Sequence, residues 1–141
     1  MTRRLSRNAD GAVTVEFALI GPLFIALMLG VMQIGIGMQN YNAMRSIASD
    51  TLRYSVVNYQ TNNDLTNTQV RDFTRSIATN SPYGLDSTRL AVRVDSVATP
   101  RVIGTIEKTL TITYSVPTVL EIVGFTEFPI TYSQSIFLMN E

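Results

Sequence analysis

The run from Phe17 to Met38, FALIGPLFIALMLGVMQIGIGM, carries no charged residue, and Gln33 is its one strongly polar side chain. Read as a helix rising about 1.5 Å per residue, it covers roughly 33 Å, enough for the hydrocarbon core of a bilayer. A segment of this kind takes a large share of a 141-residue chain, so the rest has room for one modest core. Arg3, Arg4 and Arg7 precede the run against a single Asp10, and the first cation after it is Arg45. The excess of arginine on one side predicts a cytoplasmic amino terminus and export of the chain beyond the run. A cleaved secretory signal fits poorly, because the apolar run is too long and no small-residue cleavage site closes it. An ordinary uncleaved signal anchor remains an alternative.

Composition narrows the chemistry. Eleven basic residues balance eleven acidic ones, which leaves no cationic excess to hold a nucleic-acid backbone. The chain has neither Cys nor His, so disulfides, thiolate chemistry and imidazole ligands or proton shuttles are excluded. Acidic residues beyond the start are scattered singly, and no phosphate-binding glycine loop or nucleophile motif appears. The expectation is a protein that is not an enzyme and has no cofactor and no metal.

The border of the span is more specific than its interior. Glu16 places a carboxylate at the edge of an apolar helix, where charge is costly and commonly functional. Its plainer reading is an acidic residue in a first helical turn, favoured by the helix dipole. Gly11 is followed by Ala12, Val13, Thr14, Val15, Glu16 and Phe17, and the longer string GAVTVEFALIGPLF places Pro22 six residues after Glu16. This segment resembles the processing region of type IV prepilins, and most closely that of the TadE-like pseudopilins, or minor pilins, of tight-adherence (Tad, or Flp) pilus systems. The resemblance implies cleavage by prepilin peptidase between Gly11 and Ala12, with Glu16 and Phe17 as part of the processing site. It also implies partnership with a major Flp-type pilin, other pseudopilins and the inner-membrane platform of the pilus, and a role in pilus building, surface adhesion and biofilm growth. A pseudopilin of a type II secretion system shares the glycine and glutamate, but there Phe usually follows the cut directly, where this chain has Ala12.

The arrangement has a physical basis. A cut ahead of the apolar helix leaves the anchor on the product. Gly11 lets an extended backbone enter a tight active site. A carboxylate in apolar surroundings favours a cation, and the new amine of Ala12 on the same or a neighbouring subunit is one; such a pair would set the register between packed helices. Pro22, which removes a backbone donor, predicts a kink near residues 18–22, aided by Gly21. Ala26, Gly30, Gly35 and Gly37 offer small residues for a close helix approach, although such residues are common in membrane spans generally.

Beyond Met38 the pattern turns amphipathic, with Tyr41, Met44, Ala48, Leu52 and Val56 on one face, so the helix is predicted to continue to about residue 57. NYQTNN at residues 58–63 breaks it. Thr66 with Gln69 reads as a capping box opening a second helix over about 67–79, which Asn80 to Gly84 ends. Three alternating segments then predict strands at about 89–96, 105–115 and 129–138, the first two antiparallel, with a short helix or turn near 117–124. The Thr-rich outer face at Thr105, Thr109, Thr111 and Thr113 reads as solvated sheet or as an adhesion surface. Ile122, Val123, Phe125, Phe128 and Pro129 read as core or as a patch for a partner subunit. The resulting expectation is an α+β, pilin-like protein. It has a basic cytoplasmic leader at 1–11, a single-pass inner-membrane helix at 12–38 in contact with the lipid bilayer, and a periplasmic headpiece at 39–141. From there it could also enter a pilus at the cell surface.

Overall fold

A computed structural model describes residues 9–119, 124 and 127–139, with the side chains of residues 9–12 left out. The chain forms helix α1 (Ala9–Gln60), helix α2 (Asn67–Thr79) and strands β1 (Leu90–Ser96), β2 (Thr105–Pro117) and β3 (Glu127–Met139). This is the expected α+β architecture. Each element lies within a few residues of its predicted bounds. The segment predicted as a short helix or turn at 117–124, with Ile122, Val123 and Phe125, lies largely outside the described residues.

α1 is one helix of 52 residues and runs unbroken through Pro22. Its two halves face different surroundings. From Val13 to Met32 no described residue of another element buries it, and Phe17, Leu19, Leu23, Phe24 and Leu27 are each more than half exposed. Beyond Ile36 one face turns into the core through Met44, Ile47 and Ala48, all fully buried. At the contact with α2 the side chains are small, so the helices approach closely. Thr51 and Thr74 are fully buried there and their hydroxyls lie 3.1 Å apart. Tyr54 stacks on Phe73 with 3.7 Å between ring centroids, at the edge of the same interface.

α2 begins as its sequence predicts. The Thr66 hydroxyl accepts from the Gln69 backbone N–H at 3.3 Å, and the Gln69 side chain accepts from the Thr66 N–H at 2.8 Å. Such a cap is worth about 1 kcal/mol. After the helix, Gly84 takes φ +60°, a conformation that favours glycine, and this sets Leu85 to donate back to the Ala78 carbonyl at 2.8 Å.

The sheet is an antiparallel meander of order β1-β2-β3. One face packs on the helices, β3 on α1 and β1 on α2. Leu110, Ile112, Val116 and Ile136 are fully buried on it, with Tyr114 nearly so. The outer face carries the threonines, whose hydroxyls pair across strands: Thr111 with Ser133 and Thr113 with Thr131, each at 3.1 Å. These cross-strand pairs are the ordinary stabilisation of a sheet surface.

Two charged residues of β2 are buried. Lys108 occupies the inward position between Ile106 and Leu110 and donates to the Leu65 carbonyl. Burial pushes its ammonium below the usual lysine range, an effect that the charge of Asp64 opposes. Glu107 points outward yet is 2% exposed, because the β1–β2 loop folds over it. It accepts from the Arg101 backbone N–H and from Arg101 Nε, each at 2.8 Å, and Arg101 also bonds Ser135 and covers the Phe137 ring.

Candidate functional site: the spine helix and its seat

The residues singled out between Gly11 and Pro22 all fall on α1, whereas Arg3, Arg4 and Arg7 of the expected leader lie outside the described residues. The backbone is helical from Ala9, so Gly11 and Ala12 lie in the first turns rather than in an extended leader. Ala12 and Glu16 are four apart on this helix, the spacing that puts two positions on one face about 5–6 Å apart. Glu16 is exposed, and Phe17 beside it is 76% exposed. The Phe17 ring lies over Gly21, where an added Cβ would meet it at an ordinary 4.0 Å. Gly21 is therefore not required by crowding within the chain. Gly30, Gly35 and Gly37 likewise face open space, with nothing within 4 Å of a Cβ built on them. Of the predicted site residues whose side chains are described, Glu16, Phe17 and Pro22 are exposed and Gly21 is half-buried.

A second feature is a direct consequence of the lone polar side chain in the span. Gln33 Nε2 donates to the Pro117 carbonyl at 3.2 Å, and Gln33 Oε1 accepts from the Val119 N–H at 3.0 Å. One amide thus satisfies both a donor and an acceptor on the segment that leaves β2. The pairing fixes the lower end of the sheet at the level of residue 33, inside the apolar run and below its end at Met38. Above this point the sheet lies along α1. Tyr41 meets Tyr132 edge-on at 5.7 Å between centroids, and at the far end Val56 and Tyr59 line a cleft with Phe137 and Leu138. In the sequence Gln33 stands out as polar but carries no evident role; an amide alone among apolar residues is the one signal that points to it.

Phe128 is 58% exposed at the start of β3 and Pro129 is exposed too, so neither belongs to the core. Phe128 faces an open cleft of about 430 Å³ against Ile34, Met38 and Tyr41, with Ile130 on its wall. Among the described residues no cluster of acidic side chains could hold a metal.

The pH behaviour of the headpiece follows from Glu107. Hydrogen bonds from Arg101 hold its carboxyl below the usual glutamate range, against the smaller opposing effect of burial. Asp86 is held low in the same sense by the hydroxyl and backbone of Thr88. A depressed folded-state value adds stability that is present above the unfolded value, roughly 4.3 for Glu, and is lost as pH falls through the folded one. Melting temperature is therefore expected to drop as pH is lowered from about 5 toward 3, and Glu107→Gln to flatten that drop. An unchanged slope in Glu107→Gln would exclude Glu107 as its source.

Among the described residues one exposed apolar helix is long enough to cross a bilayer, and together with the small α+β headpiece it fits a single-pass membrane anchor. The family described as TadE-like protein matches residues 11–53, so this stretch of the chain is TadE-like, in keeping with a protein of Tad pilus systems. The match begins at Gly11 and ends on the part of α1 that enters the core. No curated protein and no solved structure matches the chain.

Proposed function

We propose that this protein is a minor pilin-like subunit or assembly factor of a tight-adherence pilus, made as a precursor and cut by prepilin peptidase between Gly11 and Ala12. Its leader lies in the cytoplasm, its span in the inner membrane and its headpiece in the periplasm. It catalyses nothing itself and acts through the major pilin, other pseudopilins and the assembly platform, in support of surface attachment and biofilm growth. The observation that carries this reading is the TadE-like match, which starts at Gly11 and takes in Glu16 and the whole exposed span. The helical spacing of Ala12 and Glu16 supports the pairing of a new amine with the carboxylate, within one subunit or across two.

The experiment is the intact mass and amino-terminal sequence of the protein purified from cells that contain their own peptidase. The expected product begins at Ala12. Material that still begins at Met1 or Thr2 would instead support an uncleaved signal anchor carrying a periplasmic binding module.

A further inference from the structure

We infer that the lower end of the headpiece, Phe128 and the cleft it forms against Ile34, Met38 and Tyr41, rests in the interfacial layer of the bilayer on the headpiece side, with lipid as the occupant of the cleft. The inference rests on the reading of α1 as a membrane span.

Length decides the matter. A hydrocarbon core of about 30 Å takes about 20 helical residues. Gln33 fixes where the headpiece begins, because its amide is bonded to the backbone at Pro117 and Val119. If the span ends just below Gln33, its twenty residues begin at Val13, and Glu16 lies one turn inside the hydrocarbon. If Glu16 is instead held at the opposite surface, the twenty residues run from Phe17 to Ile36, and Gln33 sits about one turn beneath the headpiece-side surface. The two placements differ by about 6 Å, comparable with the thickness of one interfacial layer. Phe128, alongside residues 34–41, reaches the interface in both.

The chemistry of the surface agrees. Ile34 and Met38 are each more than 60% exposed and continue the bare apolar cylinder below them without a break. Among the described residues the cleft wall is apolar apart from the Tyr41 hydroxyl and the uncharged amides of Gln33 and Asn42, and no charged side chain lines it. Phe128 and Tyr41 supply aromatic rings at the level where such rings are enriched. Lipid is favoured over a second copy of the chain because the same surface that must meet acyl chains below Gln33 runs directly into this cleft.

The chain contains no Trp, so single replacements report on one place each. Full-length Leu27→Trp, Phe128→Trp and Ile103→Trp are reconstituted in phosphatidylcholine vesicles with bromine on the acyl chains, either near the headgroup or near the chain end. Leu27 lies mid-span, and Ile103 is fully exposed in the loop before β2, at the opposite end of that strand from Pro117. Leu27→Trp is expected to lose most of its emission with chain-end bromine. Phe128→Trp should lose a substantial part with bromine near the headgroup and less with bromine at the chain end. Ile103→Trp should lose none. An unquenched Leu27→Trp would overturn the span itself. A quenched Leu27→Trp beside an unquenched, red-shifted Phe128→Trp would place the headpiece clear of the membrane and overturn the inference alone. An unquenched Phe128→Trp whose blue-shifted emission reddens on dilution of protein into excess lipid would assign the cleft to a second copy, and overturns it as well.

Discussion

Gly11→Val is expected to leave the protein at precursor length in cells that process the wild type, read as a higher-mass species beginning at Met1 or Thr2. The backbone at Gly11 belongs to the first turns of α1, so a peptidase that binds an extended strand must first open that end of the helix. Glycine makes the opening cheap, since it is worth about 1 kcal/mol less than alanine within a helix, and ends of helices open readily. Valine adds bulk at the scissile position and a branched side chain that an extended active site must accommodate. Gly11→Ala is expected to accumulate precursor to a smaller degree. Glu16→Ala is the complementary variant: it leaves Gly11 and Ala12 untouched, so it should be cut normally, while subunits lacking the carboxylate pack without a fixed register and assemble poorly. Normal pili and normal adhesion in Glu16→Ala would remove the register role from Glu16.

The second large effect lies in the headpiece. Leu110→Ala removes a fully buried side chain at the centre of β2. Such a truncation costs about 3 kcal/mol, the lost transfer energy together with the cavity left behind. For a small domain whose total stability is of order 5–15 kcal/mol, this lowers the melting temperature by roughly 15 °C. The measurement is thermal unfolding of the full-length protein in detergent micelles. Leu27→Ala makes a similar change at a residue that is 62% exposed in the span, and should leave the headpiece transition where it was. Equal shifts in both variants would mean that span and headpiece unfold as one unit.

The elements were largely legible in the sequence because each has a local cause. The charge-free run gives the span, the period of the apolar residues from Tyr41 to Val56 carries α1 outward, Thr66 with Gln69 starts α2, and strict alternation gives three strands. What escaped were pairings between distant residues. Alternation assigns Glu107 to the solvated face, and it does project outward; its burial comes from Arg101, on a loop whose path no local pattern specifies. Lys108 interrupts the inward series Ile106, Leu110, Ile112, and its partner is a backbone carbonyl 43 positions away. From Gly11 to Pro22 the residues could be picked out because the resemblance to the TadE-like family is dense there, and the family match covers the same stretch. Gln33 could be noticed but not explained, since its partners lie at the far end of β2, more than eighty positions away.

That last pairing also bears on the order of events during synthesis. Gln33 is separated from its two backbone partners by 84 and 86 positions, so its amide can close on them only after Pro117 and Val119 have emerged. β3, the third of the described strands, completes the sheet and supplies most of its packing on α1. Contacts of such long sequence separation form late and slowly. A chain stalled between Val119 and β3 already holds both partners of the Gln33 amide but lacks the strand that packs most on α1, so the amide can close before the sheet is complete, and full docking of the headpiece waits for β3.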